Sequence, residues 1–95
     1  MSTLESIIER KCCNWAIKEF GIQNIKLTQS RGIPDRLFML NGQVLFVEFK
    51  QYDEDARKYQ LYRHHQLKDN GFRVEIIDNF NDFQELITNW INKND

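Results

Sequence analysis

The sequence lacks the features that mark several special classes of protein. No apolar run in its 95 residues approaches the roughly 20 that a membrane-spanning helix needs, and no signal-peptide pattern opens the chain. Cysteine occurs only as the adjacent pair Cys12 and Cys13, which indicates neither a zinc motif nor a disulfide framework. Repeats, low-complexity runs and linkers are also missing. We therefore expect a single domain over residues 1–95, in the reducing cytoplasm of a cell.

The composition favours a folded core and says little about charged partners. Hydrophobic residues make up 41% of the chain and aromatic residues 13%, which argues against disorder. The net charge is −1, so the chain as a whole does not indicate a nucleic-acid partner. Residues 26–73 carry nine Lys or Arg against six Asp or Glu, whereas residues 74–95 carry one against five. This pattern fits one cationic face, and it fits an ordinary surface equally well.

The stretch from residue 32 to residue 50 carries the clearest structural signal. It contains two apolar segments joined by Asn41-Gly42, a dipeptide typical of the two-residue type I′ turn of a β-hairpin. In that register Leu40 faces Gln43, and each step away from the turn pairs the next residue on either side. The position of the turn therefore fixes which side chains lie opposite each other.

Counting along this hairpin places two acidic side chains face to face. Asp35 falls opposite Glu48 in a non-hydrogen-bonded pair, whose side chains share one face of the sheet. Lys50 lies two residues beyond Glu48, on the same face. Directly opposed carboxylates destabilise a sheet, and a bound divalent cation would reverse that effect. The hairpin therefore predicts a cation site at its open end.

The remaining segments predict helices and strands in the order helix, strand, hairpin, helix, strand, helix. The first helix covers residues 4–20 with Ser2 or Thr3 as its N-cap, and the last begins at the cap residue Asn81. Between them we expect strands at 22–28, 37–40, 44–49 and 72–78, and a helix at 57–70. The link from the strand at 44–49 to the one at 72–78 has the length of a right-handed crossover, so these two strands should be parallel.

The helix at 57–70 offers further candidates, for which structural roles are favoured. Its apolar face is expected to turn inward and to consist of Leu67 and parts of Tyr59, Leu61 and Tyr62. His64 and His65 are neighbours, so only one of them can face a given site. Metal-binding histidine pairs on a helix are spaced three or four residues apart, so we expect no metal role for this pair.

The opposed acids suggest what kind of ion would bind. Mg²⁺ and Mn²⁺ prefer hard oxygen ligands that converge from different elements. Asp35 and Glu48 supply two carboxylates, and Glu9 supplies a third if the first helix packs across the sheet. Lys50 beside the ion would hold or polarise a water molecule and stabilise charge on a phosphate oxygen.

These residues also carry a family resemblance. The run GIPDR ends at Arg36, and Asp35 within it is followed, after twelve residues, by Glu48-Phe49-Lys50. This pattern resembles the PD-(D/E)xK nuclease signature and, more closely, its VRR-NUC branch, whose small members are common in phages. Gln60 falls at the spacing of a glutamine in that branch, ahead of a helix that runs into a glycine. The N-terminal glutamate of the family best matches Glu9, and Glu5 is a rival for that position.

The resemblance implies a fold and an activity. The fold would be α/β, a restriction-endonuclease-like αβββαβ core with a mixed sheet flanked by helices, plus a C-terminal helix. The activity would be that of a divalent-metal-dependent endonuclease that hydrolyses DNA phosphodiester bonds. Small stand-alone members are similar to Holliday-junction resolvases that act as homodimers on branched DNA. Branched DNA and a second copy of the chain are therefore the expected partners.

The resemblance also implies a role for each site residue. Mg²⁺ or Mn²⁺ would be bound by Glu9, Asp35, Glu48 and the main-chain carbonyl of Phe49. Lys50 would orient the attacking water, and Gln60 would hold the site or the lysine in place. Six basic side chains near the mouth of the hairpin are candidate phosphate contacts: Lys26, Arg31, Arg36, Arg57, Lys58 and Arg63.

Two other functions stay open at this point. One is a nuclease-fold module that binds DNA or assembles a complex without turnover. The intact Asp35, Glu48 and Lys50 argue against it, because a retired site has no reason to keep opposed carboxylates. The other is a protein-interaction domain, which would have no affinity for DNA.

Overall fold

The chain folds as a four-stranded mixed sheet flanked by three helices. The computed structural model describes residues 4–93. Its elements are α1 (Leu4–Phe20), β1 (Gln23–Lys26), β2 (Arg36–Leu40), β3 (Gln43–Phe49), α2 (Lys58–Asp69), β4 (Arg73–Ile77) and α3 (Phe80–Lys93). The strand order is β1-β2-β3-β4, with β1, β2 and β3 antiparallel and β4 parallel to β3. The predicted α/β architecture and the parallel crossover are confirmed.

The hairpin between β2 and β3 has the predicted turn and register. Asn41 and Gly42 both have positive φ angles, 48° and 78°, as a type I′ turn requires. Leu40 pairs with Gln43 at the turn, and the pairing continues to Arg36 and Val47 at the open end of the hairpin. The next position along this register is that of Asp35 and Glu48.

The main core lies between one face of the sheet and the helices α1 and α3. Its sheet side is formed by Phe38, Leu45, Val47, Phe49 and Ile77, all of them buried. The helices contribute the buried residues Cys12, Cys13, Ala16, Phe83, Leu86, Ile87 and Trp90. Because β3 runs inside the sheet, its other face is buried as well, and Phe46 and Glu48 lie there. A glutamate therefore occupies an interior position of the fold.

Helix α2 packs differently from the prediction. Within Lys58–Asp69 the buried side chain is that of His64, whereas Leu61 is 48% exposed and Tyr62 is 65% exposed. The prediction that Leu61 and Tyr62 turn inward is wrong. The physical reason is that α2 turns a polar face towards Glu48, which leaves these apolar residues on the solvent side.

The helix caps differ in part from the prediction. Asn79 caps α3, since its Oδ1 accepts a 2.8 Å hydrogen bond from the backbone N–H of Asp82. The prediction of Asn81 as this cap is wrong by two residues. Ser2 and Thr3, the predicted caps of α1, lie outside the described residues. Among residues 4–93, none of the helices is long and apolar enough to cross a membrane.

Candidate functional site

Three carboxylates converge at the open end of the hairpin. They belong to Glu5 in α1, Asp35 just before β2, and Glu48 in β3, and one oxygen from each lies within 4.8 Å of the others. Glu48 is 2% exposed, and the other two are partly buried. Carboxylate groups brought this close in a shielded place repel each other unless a proton or a cation lies between them.

Asp35 is held in place by the backbone on both sides of it. The N–H of Phe49 donates a 2.7 Å hydrogen bond to Asp35 Oδ2 across the hairpin. The carbonyl of Asp35 accepts a 2.9 Å bond from the N–H of Leu27, next to β1. The preceding residue, Pro34, is buried and fixes the direction in which the chain enters β2. These contacts aim the Asp35 side chain at Glu48.

The environment of Asp35 favours its protonated form. Burial raises its pKa from 3.8 to about 7, and the negative charge of Glu48 and a hydrogen bond with that carboxyl add to the effect. The hydrogen bond from the Phe49 N–H acts in the opposite direction, because it stabilises the carboxylate. Burial also raises the pKa of Glu5, while the charge of Lys50 lowers it.

Gln60 connects α2 to the carboxylate cluster. Its Nε2 donates a 3.3 Å hydrogen bond to Glu48 Oε2, and its Oε1 accepts a 2.8 Å bond from the backbone N–H of Arg57, just before the helix. The second bond satisfies a free N–H at the start of α2 and turns the amide so that Nε2 faces Glu48. Gln60 therefore lies at the site, as predicted.

The second oxygen of Glu48 faces a histidine for which the sequence predicted no metal role. His64 Nε2 lies 3.5 Å from Glu48 Oε1. Both atoms are buried, and neither has a hydrogen-bond partner among the described residues. A signal was present in the sequence, since Gln60 and His64 are four residues apart and thus on one face of a helix.

Lys50 directly follows β3 and is buried next to this cluster. Its side chain is 6% exposed, and its Nζ lies 3.8 Å from Glu54 Oε1. Its backbone N–H donates a 2.8 Å bond to the carbonyl of Ile77 in β4, which fixes the chain at this point. The position agrees with the predicted place beside the acids. The role of Lys50 and that of the Phe49 carbonyl stay predictions.

The structure corrects the choice of Glu9 as the acid that α1 contributes. Glu9 Oε2 accepts 2.7 Å hydrogen bonds from Lys26 Nζ and from Arg36 Nε, and Glu9 is 6% exposed. Arg36 also donates through Nη1 to Asn24 Oδ1 at 3.0 Å. The angle at which α1 crosses the sheet brings its first turn to the carboxylates and its second turn to the cations of β1 and β2. Glu5, the rival candidate, takes the predicted place.

The predicted DNA-contacting side chains fall into four situations. Lys26 and Arg36 are ion-paired with Glu9. Arg63 Nη1 donates to Ser30 Oγ at 2.7 Å and to the carbonyl of Arg31 at 2.9 Å, so that α2 holds the loop before β2. The Arg31 guanidinium lies 4.5 Å from the centre of the Tyr59 ring. Arg57 and Lys58 are exposed at the start of α2.

Gly32 allows this loop to approach α2 closely. Its φ of +80° favours glycine, and a Cβ at this position would lie 2.8 Å from Arg63 Cγ and 2.9 Å from the carbonyl oxygen of Tyr59. The loop leads directly to Asp35. The glycine is therefore part of what places that carboxylate.

The side chains at the open end of the hairpin fit a small divalent cation. Glu5, Asp35 and Glu48 offer oxygen atoms from three different elements, which is the donor type that Mg²⁺ and Mn²⁺ prefer. Glu48 is 2% exposed, and a carboxylate buried to this extent is costly unless a cation or a proton neutralises its charge.

Comparison of the whole fold with solved structures identifies its class. A "VRR_NUC domain" matches with a TM-score of 0.80 and 26% identity, over 92% of this chain and 97% of its own length. A "VRR_NUC domain protein" matches with a TM-score of 0.78 over 97% of this chain and 91% of its own, and at 14% identity it bears on the fold alone. The chain thus has a nuclease fold. It is the VRR_NUC fold, and the predicted resemblance is confirmed.

Sequence comparison gives one further relative and no family model. A protein of Acyrthosiphon pisum secondary endosymbiont phage 1, named "Putative nuclease p44", is 45% identical over 49 residues. The match covers 50% of this chain and 53% of the relative, so the chain spans about half the length of that protein. No family model matches the sequence.

Proposed function

We propose that the protein is a divalent-metal-dependent DNA endonuclease of the PD-(D/E)xK type, selective for branched DNA such as Holliday junctions. The observation that carries this proposal is the convergence of Glu5, Asp35 and Glu48 within 4.8 Å at the open end of the hairpin. The nuclease fold and the name of the phage relative support the reaction class. The phage relative also fits a site of action in the cytoplasm of a host cell.

The three acids would hold Mg²⁺ or Mn²⁺, with the main-chain carbonyl of Phe49 as a further oxygen ligand. The bound ion would lower the pKa of a water molecule and neutralise charge on the scissile phosphate. Asp35 has to give up its proton to act as a ligand, and its raised pKa, about 7, makes this step depend on pH near neutrality. The Phe49 N–H keeps the Asp35 side chain directed at Glu48.

Lys50 and Gln60 would act beside the reacting atoms. The Lys50 ammonium would donate a hydrogen bond to the attacking water and orient it towards phosphorus. Because Lys50 is buried, its charge would be poorly screened and would act more strongly than that of a surface lysine. Gln60 would hold the Glu48 carboxylate through its 3.3 Å hydrogen bond to Oε2.

DNA would be bound through its phosphates, which carry no sequence information and suit a structure-selective enzyme. Arg57 and Lys58 are the candidates with exposed side chains at the start of α2, and Arg31 is exposed on the loop that leads to Asp35. Lys26 and Arg36 share the single charge of Glu9, so part of their positive charge is left for DNA.

A homodimer belongs to the same proposal. Cutting both strands of a symmetric junction calls for two active sites, which a two-fold dimer supplies. The exposed apolar side chains Leu61 and Tyr62 of α2 support such an interface. Light scattering coupled to gel filtration measures the mass directly. A mass of one chain at micromolar concentration would remove the dimer from the proposal.

The proposal is tested by comparing the wild type with Glu48→Ala on duplex, single-stranded and four-way-junction DNA, with Mg²⁺, with Mn²⁺ and with a chelator. We expect metal-dependent cleavage of the junction by the wild type and none by Glu48→Ala. The exposed Glu85→Ala is the matched control and should cut like the wild type. Cleavage that persists in the chelator, or full activity of Glu48→Ala, would refute the proposal. Binding of the junction without cleavage in either metal would favour a non-catalytic DNA-binding module.

A further inference from the structure

The two oxygens of the Glu48 carboxylate face two side chains of one helix. Gln60 Nε2 lies 3.3 Å from Oε2, and His64 Nε2 lies 3.5 Å from Oε1. Gln60 and His64 are separated by one turn of α2, so the helix presents them side by side. The first contact is a hydrogen bond, whereas the second is at the outer limit of one.

The burial of His64 needs a physical reason. His64 is 3% exposed, while the apolar Leu61 and Tyr62 of the same helix are largely exposed. Placing a leucine inward would gain hydrophobic burial, whereas a buried imidazole N–H without a partner costs free energy. Among the buried side-chain atoms of residues 4–93 that lack a hydrogen-bond partner, the one next to His64 Nε2 is Glu48 Oε1. Each of the two buried atoms is the natural partner of the other.

We infer that His64 is a positioning residue for Glu48. The His64 Nε2–H donates a hydrogen bond to Glu48 Oε1, and together with Gln60 it holds the carboxylate at both oxygens. The inference rests on the proposed function, because it concerns the acid that would bind the ion. Two donors fix the rotation of the carboxylate and leave its remaining lone pairs for the ion.

His64 is not itself a ligand of the proposed ion. Its ring nitrogens do not join the group of atoms that lie within 4.8 Å of one another, which in residues 4–93 consists of Glu5, Asp35 and Glu48 oxygens. Its place is behind Glu48, on the side of α2. It therefore acts on the ion through the carboxylate and not directly.

The test uses side chains that differ in the reach of their donor. His64→Gln places an amide N–H near the position of Nε2. His64→Asn carries the same amide on a side chain too short to reach Glu48 Oε1, and His64→Leu fills the volume without any hydrogen-bond donor. The exposed neighbour His65 provides the controls His65→Gln and His65→Asn. The measurements are Mn²⁺ affinity by calorimetry, melting temperature in a chelator, and junction cleavage. In addition, a long-range ¹H–¹⁵N spectrum of the metal-free wild type identifies which nitrogen of His64 carries the proton.

We expect His64→Gln to bind Mn²⁺ within about threefold of the wild type, and His64→Asn and His64→Leu to bind about tenfold or more weakly, as is usual for partners of metal ligands. The spectrum should show the proton on Nε2, and the His65 variants should behave like the wild type. If His64→Leu does not fold, the comparison of Gln with Asn decides alone.

Equal Mn²⁺ affinity of His64→Gln and His64→Asn, or a proton on Nδ1 only, would overturn the inference and leave the proposed function intact. Failure of the proposed function has a different signature, namely a wild-type protein that neither binds Mn²⁺ nor cuts DNA. In that case the inference about a metal-binding carboxylate falls with it.

Discussion

Asp35 and Glu48 face each other at the open end of the β2–β3 hairpin, one step beyond the pair formed by Arg36 and Val47. The N–H of Phe49 holds Asp35 in this position by a 2.7 Å hydrogen bond. Without a cation, ionising both carboxyl groups costs free energy, because burial and the charge of Glu48 raise the pKa of Asp35 to about 7.

The first prediction concerns the stability of the metal-free protein. The pKa of Asp35 is raised on folding, so its contribution to stability is complete below about pH 4 and is lost as the pH rises through about 7. Asp35→Asn removes this loss. Relative to the wild type, we expect the free energy of unfolding of the variant to increase by about 1–2 kcal/mol as the pH rises from about 4 to about 8. The figure is smaller than the full pKa shift would give, because Asp35 is partly exposed to solvent.

Urea unfolding in a chelator at several pH values measures this gain. Asp69→Asn, an exposed aspartate at the end of α2, is the matched control and should show a difference from the wild type that changes little with pH. The prediction is contradicted if the free-energy difference between wild type and Asp35→Asn is the same at about pH 5 and at about pH 8.

A second prediction separates the two glutamates of α1. Glu5→Gln should weaken Mn²⁺ binding about tenfold or more, because it removes a charged ligand, and it should leave the metal-free protein at least as stable. Glu9→Gln should instead lower the free energy of unfolding by about 1–3 kcal/mol, because it leaves Lys26 and Arg36 without their partner.

Calorimetry with Mn²⁺ and urea unfolding in a chelator make this comparison, with the exposed Glu19→Gln as the control on the same helix. If Glu9→Gln abolished Mn²⁺ binding while Glu5→Gln did not, the placement of α1 against the hairpin would be wrong.

A third prediction concerns the loop that leads to Asp35. Gly32→Ala meets both an unfavourable φ of +80° and a Cβ position 2.8 Å from Arg63 Cγ. We expect it to lower the free energy of unfolding by about 2–4 kcal/mol, the sum of backbone strain and a local shift. Gly21→Ala is the matched control, since Gly21 has a similar φ of +66° and nothing within 4 Å of the Cβ position.

Urea unfolding of both variants separates strain from crowding. Gly21→Ala should cost about 1–2 kcal/mol, which is the strain alone. Equal decreases in the free energy of unfolding of the two variants would mean that the loop at Gly32 does not lie in close contact with α2.

A fourth prediction concerns DNA binding. Replacing Arg57 and Lys58 together by alanine should weaken binding to every DNA. It should also reduce the slope of log affinity against log salt by about 0.9 for each duplex phosphate that the variant no longer neutralises. Binding is measured in a chelator, which prevents cleavage. The exposed Lys18→Ala, in the last turn of α1, is the control. An unchanged salt dependence in the double variant would exclude these two side chains as phosphate ligands.

The parts of the site that depend on local geometry could be predicted from the sequence. A type I′ turn at Asn41 and Gly42 fixes the register of the strands that it joins, and the register alone brings Asp35 to Glu48. The crossover from β3 to β4 follows from the length of the connection. These features need no knowledge of how distant segments pack.

The errors concern contacts between distant segments. Whether Glu5 or Glu9 reaches the hairpin depends on the angle at which α1 crosses the sheet, and no local pattern records that angle. The inward face of α2 was predicted from its apolar residues, yet Glu48 draws Gln60 and His64 inward instead. A hydrophobic pattern gives the wrong inward face for a helix whose buried side chains are polar because they contact a polar residue of a neighbouring strand.

A crystal structure of the protein grown with Mn²⁺ would show directly whether the three carboxylates bind a cation, if diffraction data are collected to measure the anomalous signal of manganese. We expect an anomalous peak in contact with carboxylate oxygens of Glu5, Asp35 and Glu48, and the loss of this peak in Glu48→Ala. A fully occupied Mn²⁺ site elsewhere, such as at Glu9, with no peak between Asp35 and Glu48, would contradict this expectation.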